Sequence, residues 1–326
     1  MDLGAPSENL SIPPFQCCSA PLLHPLFEAR PDNSPEKFSV GRCENCRLIY
    51  LSPPPTAEQL AEHYQAEYFG QGDAKFDPST ERIVAGFLWW RCQVLSQYLP
   101  RGGRVLDVGC GRGNFVEAMQ KRGFDAYGTE IDSCSARRSQ SRLGGRIHVG
   151  DLENLDLPAN SFDLIVIWHV LEHVRNPRTT LEAAYRLLKP SGQLVTAQPN
   201  IASWQAQMGR ELWFHLDCPR HLFHFAPDTL AALLRNCKFE PQATSHLSIE
   251  QNPFGWLQTS LNCLGIPQNL LYQLLKNNES NLPMWQKFLL RSIYIGGMPL
   301  AILVSLVETA FLRGGTFYIR ASKREE

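Results

Sequence analysis

Apolar and polar positions follow two different periods along most of the chain. From Arg104 onward, short apolar runs (RVLDVG, DAYGTEI, RIHVGD, FDLIVIWH and QLVTAQPN) are separated by segments with helical spacing, such as NFVEAMQKRG, PRTTLEAAYRLLKPSG and APDTLAALLRNCKF. Strands that alternate with helices predict an α/β fold, in which helices cover both faces of a parallel sheet. The uninterrupted apolar run LIVI is typical of a strand that is buried on both faces.

The end of the chain predicts two further strands and an insertion. EPQATSHLS follows the last of these helices, and GGTFYIRASK (Gly314 to Lys323) alternates well enough to be the final strand. If the two are neighbours in the sheet, the apolar and aromatic segment 250–312 is a helical insertion between them. It would leave from the carboxyl edge of the sheet, where open α/β sheets bind their ligands.

The first hundred residues have a different pattern. Residues 1–55 are proline-rich and irregular, and FSVGRCENCRLIYLSPPP predicts a small β unit around Cys43 and Cys46. Residues 56–100 carry helical spacing, which begins at Thr56, a favourable N-cap residue. The sequence therefore predicts an N-terminal β unit (1–55), a helical cap or linker (56–100) and a main domain (101–326).

Composition adds three expectations. The 326 residues are 44% hydrophobic and 19% charged, with a formal net charge of -1. A chain of this kind can bury a sizeable core. Because no global basicity is present, we expect no nucleic-acid partner. The N-terminus lacks the basic and apolar stretches of a signal peptide, so we expect a cytoplasmic protein.

One apolar stretch bears on membrane contact. Between Arg291 and Glu308 lie sixteen uncharged residues, SIYIGGMPLAILVSLV. A membrane span needs about 20 apolar residues, and this stretch also contains Gly-Gly and a proline. We therefore expect a buried or an interfacial helix rather than a span.

A glycine-rich turn follows the first strand of the main domain. VLDVGCGRGNF places Gly109, Gly111 and Gly113 in this turn. Glycines allow close backbone approach and positive φ, and the next helix adds free N–H donors and a partial positive charge. The dinucleotide pattern G-x-G-x-x-G would need glycine where Asn114 stands.

Three carboxylates accompany this turn. Asp107 precedes it by two residues and is a poor neighbour for a pyrophosphate, but it suits a ligand with an ammonium group or hydroxyls. Glu130 ends the second strand, where it can accept hydrogen bonds from ribose hydroxyls. Asp151 ends the third strand, where it can meet an adenine amino group. Together these residues describe the site of a cationic nucleoside.

Here the sequence resembles the class I S-adenosylmethionine-dependent methyltransferases. The resemblance runs from about Arg104 to Phe239 and includes VLDVGCGRG, GTEID, GDLENLDLPANSFDLIVIWHVLEHVRNP and LLKPSGQLV in the family's order. It implies a Rossmann-like, seven-stranded sheet whose last strand is antiparallel.

The resemblance also implies positions for the cofactor, S-adenosyl-L-methionine. Asp107, Gly109 and Gly111 would line its methionine part, Glu130 its ribose, and Asp151 with Leu152 its adenine. Further cofactor contacts are expected at the following residues: Cys110, Ile131 and Trp168, with Tyr64 and Tyr68 near the entrance.

The stretch WHVLEHVRNP follows the fourth strand and contains His169, Glu172 and His173. In the resembling fold this segment faces the transferred methyl group, and if it is helical the three side chains share a face. Three interpretations are open. His169 or His173 deprotonates the acceptor, with Glu172 as orienter. Alternatively, the cluster binds a divalent cation, or Glu172 and His173 cap the following helix and shape the pocket.

The cation interpretation rests on a second, partial resemblance. In the ubiquinone-biosynthesis O-methyltransferases, a Glu and a Glu-His pair are linked to a divalent cation beside the substrate hydroxyls. Glu172 and His173 match that pattern, but His169 stands where that family has Glu. Because hard cations prefer oxygen ligands, this departure weakens the interpretation.

A second histidine-rich cluster lies in WFHLDCPRHLFHF, within a segment expected to act as a lid (200–226). Its spacing also allows a packed loop or a zinc site. PRHLFHFAPDTL resembles a segment that lies over the active site in related methyltransferases. His221 is therefore a further candidate for the acceptor-side base.

The N-terminal cysteines resemble half of a zinc ribbon. The segment around Cys43 and Cys46 is similar to an extension found on some bacterial methyltransferases, where a four-cysteine site is complete. Upstream, this chain offers only the adjacent pair Cys17 and Cys18, and perhaps His24 as a substitute ligand. A zinc site and a degenerate ribbon without metal are both open.

The sequence therefore predicts an enzyme that methylates a small-molecule or lipid-like acceptor, at oxygen. The apolar insertion 250–312 suits peripheral membrane contact, and equally a core or a homodimer interface. The alternatives are a non-catalytic methyltransferase-fold binding module and, opposed by Asp107 and Asn114, an NAD-dependent oxidoreductase.

Overall fold

The computed structural model describes residue 18 and residues 23–31, 36–63, 76, 78–276 and 282–324. The strands in chain order are β1 Leu23–Ala29, β2 Phe38–Cys43, β3 Ile49–Ser52, β4 Arg104–Val108, β5 Asp125–Glu130, β6 Ile147–Val149, β7 Phe162–Trp168, β8 Leu188–Pro199, β9 Phe223–His224, β10 Phe239–Ser245 and β11 Thr316–Lys323. The α-helices are α1 Ala57–His63, α2 Pro78–Ser96, α3 Asn114–Lys121, α4 Cys134–Leu143, α5 Pro177–Leu187, α6 Trp204–Gly209, α7 Pro227–Asn236, α8 Asn252–Cys263, α9 Leu270–Leu275 and α10 Met284–Ala310.

Seven strands form the main sheet, in the order β10-β11-β8-β7-β4-β5-β6. The strands from β8 to β6 are parallel, and β11 is antiparallel to both β8 and β10. This topology confirms the predicted α/β class, the seven-stranded sheet and its antiparallel last strand. The expected insertion between the last two strands is also present, as α8, α9 and α10.

The central strands are buried on both faces, as their apolar runs predict. In β7, Ile165 belongs to one core cluster, whereas Leu164 and Val166 belong to another. Helices α5 and α7 complete the first cluster, and α2 and α3 complete the second. Because side chains of a strand alternate between its faces, helices must cover both sides of the sheet.

Helix α5 is shorter than the sequence predicts. We expected it to continue to the Pro-Ser-Gly signal, but it ends at Leu187, and β8 already begins at Leu188. A residue before proline is pushed out of the helical region, so Pro190 ends the helix earlier than the apolar pattern suggests. The segment up to Gly192 is therefore part of β8.

The N-terminal β unit exists and is joined to the main domain. Strands β1, β2 and β3 form an antiparallel sheet, and β3 pairs with β9 through Ile49 and Tyr50. Strand β9 lies in the segment 200–226. The backbone N–H of Leu51 also donates to the carbonyl of Leu222 at 3.0 Å. The small sheet therefore holds this segment in place.

Helix α10 contains the apolar stretch noted in the sequence. Among the described residues it is the helix that is long and apolar enough to cross a membrane, by length and composition alone. Its buried residues are few: Leu290, Ala301, Ser305 and Glu308. The outer face of α10 is exposed, so the interpretation as a buried core helix is wrong for this face.

Candidate functional site

The glycine turn after β4 has the backbone geometry of a ligand cradle. Gly109, Gly111 and Gly113 have φ values of 70°, 53° and 73°, a region that glycine enters without strain. A Cβ added to Gly111 would meet no atom within 4 Å, so open space lies beside this residue. A Cβ added to Gly109 would lie 2.5 Å from Cγ2 of Val170. At Gly111 the turn is therefore open towards a ligand. At Gly109 it packs against the segment that follows β7.

Two carboxylates border this cradle. Glu130 accepts hydrogen bonds from the backbone N–H of Gly111 at 2.6 Å and from that of Ile131 at 3.1 Å. Burial raises the pKa of Glu130, although both hydrogen bonds oppose this effect. Burial also raises the pKa of Asp107 to about 7, against the influence of the Arg91 guanidinium. A carboxylate in this state gains from a cationic ligand, because the ligand would replace the lost solvation.

The adenine side is more open. Asp151 is exposed and begins a short 3₁₀ turn, while Leu152 is buried beneath it. Ile131 is also exposed, beside the end of β5.

The segment after β7 is a turn, not a helix. His169 has φ of 55°, and its N–H donates to the carbonyl of Ala197 at 2.9 Å. Residues 169–176 contain no helical turn, so the expected shared helical face is wrong. The side chain of Asn176 caps α5, and the interpretation of Glu172 and His173 as the cap is also wrong.

This turn nevertheless brings His169 and Glu172 together. Nδ1 of His169 lies 3.3 Å from Oε1 of Glu172, which is almost fully buried. Burial works against ionisation of Glu172, but the His169 hydrogen bond and the neighbouring histidines outweigh it and lower its pKa. Because an ionised carboxylate only accepts, Nδ1 of His169 carries a hydrogen, and in the neutral form of the ring Nε2 is the nitrogen with the lone pair.

His173 and His221 form a second pair, with ring centroids 4.6 Å apart. Nδ1 of His173 donates to the carbonyl of Arg220 at 3.0 Å, and Nδ1 of His221 donates to that of His215 at 2.8 Å. These hydrogen bonds fix the orientation of both rings, and Nε2 is in each case the ring nitrogen that does not bond to the carbonyl. Burial lowers the pKa of His173 to about 4, so this ring is neutral near pH 7.

A potential metal-ligand group includes this pair. Ligand atoms of Glu172, His173 and His221 lie within 4.8 Å of one another. The buried Oε2 of Glu172 has no hydrogen-bond partner among the described residues. His169 does not belong to the group, so the structure assembles a different trio from the one that the sequence suggested.

A large cavity begins at these side chains. Its volume is about 1550 Å³, and its lining includes His169, Glu172, His173 and His221. Aromatic residues from the segment 200–226 and from the insertion also line it: Phe214, Phe254 and Tyr272. The glycine turn is not among the lining residues. His169 lines the cavity and Val170 packs against Gly109, so this turn contacts both the cavity and the glycine cradle.

Comparisons with known proteins decide the family. The family model described as "Methyltransferase domain" matches residues 88–244. The ubiquinone biosynthesis O-methyltransferase of Cereibacter sphaeroides is 30% identical over 194 residues, which cover 56% of this chain and 76% of the relative. The enzyme of the same name from Xanthomonas oryzae pv. oryzae is 35% identical over 164 residues, covering 46% and 67%.

The chain belongs to the class I S-adenosylmethionine-dependent methyltransferases. A solved methyltransferase from Thermotoga maritima, described as a possible histamine N-methyltransferase, is 20% identical and has a TM-score of 0.45, covering 76% of this chain and 95% of its own. One from Archaeoglobus fulgidus is 21% identical with a TM-score of 0.47, covering 72% and 92%.

The structure describes two of the other residues expected at the cofactor of this methyltransferase, Cys110 and Trp168. The Sγ of Cys110 lies 2.6 Å from where a Cβ of Gly128 would stand, so its side chain faces β5 rather than the cradle. Trp168 is half-buried at the end of β7, with the Arg91 guanidinium 4.7 Å from its ring centroid. Tyr64 and Tyr68 lie outside the described residues.

In the methyltransferase, the segment 200–226 both packs into the fold and lines the cavity. Trp213 is buried, while Phe214, His215 and Leu216 line the cavity. Burial lowers the pKa of His215 to about 3. Among the described residues, His221 is the only residue of this segment that belongs to a group able to bind a metal ion. The zinc interpretation of this segment is therefore not supported.

Three N-terminal cysteines of the methyltransferase come together. The Sγ atoms of Cys18, Cys43 and Cys46 lie within 4.8 Å of one another, and those of Cys18 and Cys43 are 3.7 Å apart. Cys17 lies outside the described residues, and His24 is exposed beside Glu44.

No sequence pattern singled out the roles of two further residues near the site. Arg91, in the middle of α2, forms an ion pair with Glu250 at 3.0 Å and also influences Asp107. Asp217 lies 3.6 Å from Nε2 of His221 and pairs with Arg220. Burial opposes the ionisation of Asp217, but Arg220 and His221 hold its pKa well below the usual range. Both roles depend on contacts across the fold.

Proposed function

We propose that the enzyme transfers a methyl group to a hydroxyl oxygen of a small-molecule or lipid-like acceptor, with His169 as the base. The observation that carries this proposal is the His169–Glu172 pair at the end of the large cavity. Val170, next in the chain, packs against Gly109 of the cofactor turn. The proposed base and the residue that packs against the cofactor cradle therefore belong to the same turn.

The residues of the cradle fit S-adenosyl-L-methionine. The open space at Gly111 admits a ligand to the backbone, and the buried Asp107 carboxylate suits the ligand's ammonium group. Glu130 would accept from the ribose hydroxyls, and Asp151 with Leu152 would hold the adenine. When bound, the cofactor supplies an electrophilic methyl group on a positively charged sulfur.

The chain's own residues would prepare the nucleophile. Glu172 is ionised near neutral pH, so it holds Nδ1–H of His169 and leaves Nε2 to accept the hydroxyl proton. The carboxylate also stabilises the imidazolium that forms. Holding the acceptor in line with the methyl group accounts for much of the remaining catalysis.

The cavity supports a large, partly apolar acceptor. Its volume of about 1550 Å³ exceeds the roughly 300–1,000 Å³ that is usual for ligand pockets. Its aromatic lining at Phe214, Phe254 and Tyr272 favours ring or chain contacts. The names of the curated relatives support oxygen as the methylated atom. A cytoplasmic enzyme that meets its acceptor at the membrane surface fits these features.

One observation favours a second arrangement of the site, in which it binds a divalent cation. Oε2 of Glu172 is buried and has no hydrogen-bond partner among the described residues, and ligand atoms of Glu172, His173 and His221 lie within 4.8 Å of one another. Two imidazoles and one carboxylate suit Zn²⁺, Fe²⁺ or Mn²⁺ better than Mg²⁺ or Ca²⁺. A bound cation would polarise the acceptor hydroxyl there.

A labelled-methyl transfer assay on small-molecule and lipid fractions tests the proposal. Once an acceptor is found, His169→Gln should lower kcat by about 100- to 10,000-fold and leave the Kd of the cofactor unchanged. His148→Gln is the matched control, because this half-buried histidine lies on β6. An unchanged kcat in His169→Gln would exclude His169 as the base.

Chelation separates the two arrangements. If the base alone acts, dialysis against EDTA should leave kcat unchanged. If a cation is needed, activity should be lost, return on addition of Zn²⁺ or Mn²⁺, and show no such response in His221→Ala.

A further inference from the structure

The outer face of α10 is an exposed apolar surface. Large apolar side chains on it are more than 40% exposed over the whole length of the helix: Met284, Trp285, Phe288, Leu289, Ile295, Leu300, Ile302, Leu303, Leu306 and Val307. Phe311 and Leu312 extend it beyond the helix end. Soluble monomers rarely expose so continuous an apolar patch without a partner.

The charges on α10 are divided between its two sides. The helix holds three charged residues, Lys287, Arg291 and Glu308. Glu308 is fully buried and accepts hydrogen bonds from Trp256 and Gln205. Arg291 is exposed and Lys287 is partly exposed. The outward charges of α10 are therefore cationic, which complements a surface of anionic lipid headgroups.

The inner contacts fix α10 to the enzyme along its length. Leu290 and Ala301 pack in an apolar cluster with α8 and α9, and Glu308 ties the far end to Gln205. A helix held in this way lies along the protein surface and does not leave it to cross a bilayer. Its 27 residues give an apolar strip about 40 Å long.

The same strip borders the cavity. Five aliphatic residues both line the cavity and are at least 40% exposed, so they form its rim: Ile83, Ile249, Ile295, Ile302 and Leu306. Three of the five belong to α10. The rim therefore connects the apolar strip of α10 with the cavity that His169 also lines.

We propose that the outer face of α10 docks on an anionic lipid bilayer, so that the cavity rim opens into the lipid and an amphipathic, membrane-dissolved acceptor enters there. The loading step rests on the function proposed above, whereas the docking step does not. A second copy of this chain on the same face would cover the rim, and the bilayer is therefore the occupant that keeps the cavity accessible.

Flotation of the full chain with vesicles tests the docking. The enzyme should float with phosphatidylcholine–phosphatidylglycerol vesicles and less with phosphatidylcholine alone. Phe288 and Leu303 are exposed and do not line the cavity, so Phe288→Glu/Leu303→Glu should reduce vesicle binding by about tenfold or more. Leu26→Glu, on an exposed site of β1, is the matched control and should bind as the wild type does.

Three results would overturn the proposal. These are no flotation of the wild type, equal flotation of the double variant, or a dimer in sedimentation equilibrium that the double variant dissociates. Cofactor binding by calorimetry checks that the double variant is folded and should be unchanged. If vesicles bind but no lipid fraction accepts the labelled methyl group, the lipid acceptor fails while the docking surface stands.

Discussion

Val170 occupies the space that a side chain at Gly109 would need. Its Cγ2 lies 2.5 Å from the position of a Cβ at Gly109, and Gly109 also has a positive φ of 70°. The residue before Val170 is His169, which we propose as the base. The cofactor turn and the turn that holds His169 therefore pack directly against each other, so a side chain added at Gly109 should displace both.

Substituting Gly109 by Ala should disrupt both functions together. The added methyl group meets Val170, and the positive φ adds about 1–2 kcal/mol of backbone strain, so we expect a lower Tm and a cofactor Kd raised at least tenfold. Gly86→Ala is the control, because nothing lies within 4 Å of that helical position and alanine should stabilise α2. Calorimetric binding equal to that of the wild type would show that the turn tolerates the clash.

The pKa of Asp107 predicts a pH-dependent cofactor affinity. This carboxyl has its pKa raised to about 7, chiefly by burial, so it gains its negative charge only as the pH rises through 7. The affinity for the cationic cofactor should therefore increase between pH 6 and pH 7.5. In Asp107→Asn the affinity should be weaker by about 10- to 100-fold and independent of pH over this range. A parallel pH dependence in wild type and variant would assign the titration to another group.

Glu172→Gln should separate orientation from binding. Against the effect of burial, the His169 hydrogen bond and the neighbouring histidines lower the pKa of Glu172 from its ordinary value of 4.5, so the wild-type carboxylate is ionised near neutral pH. The amide cannot stabilise the His169 imidazolium, and we expect kcat to fall by about 100-fold or more with the cofactor Kd unchanged. A merely structural role would lower Tm and raise Kd without this selective loss of kcat. The comparison therefore needs kcat, Kd and Tm for the same variant.

Local patterns predicted the main sheet because its strands and helices each carry their own periodicity. The apolar run of β7 and the glycine turn after β4 are signals contained within a few residues. The structure has both at their predicted positions. The pairing of β9 with β3 has no such signal. Strand β9 is two residues long, and its partner lies far away in the chain. Only the folded chain brings Ile49 and His224 together.

The candidate site also combines features that a local sequence pattern predicts with features that it does not. Asp107, Glu130 and Gly111 follow from their positions at strand ends, which a sequence pattern reveals. The conformation of His169 does not, because its positive φ depends on the hydrogen bond from its N–H to Ala197 in the neighbouring strand. The helical spacing of HVLEHV suggested a helix where the structure has a turn. Tertiary hydrogen bonds outweighed the local preference there.

The three clustered cysteines predict a structural metal site in the N-terminal unit. Cys43 is fully buried, and its thiol lies beside those of Cys18 and Cys46. Three thiols this close favour zinc, because the thiolates bind it strongly and a structural site takes four ligands. We expect purified protein to contain about one zinc per chain by elemental analysis, with Cys17 as the fourth ligand to test.

Cys43→Ser/Cys46→Ser should remove this zinc and lower the Tm of the full chain. Because β3 pairs with β9 beside His221, loss of the metal should also lower methyl transfer, without changing cofactor affinity. Cys263→Ser, at an exposed site in the insertion, is the matched control and should keep both zinc and Tm. Equal zinc content in the double variant and the control would contradict a metal site at these cysteines.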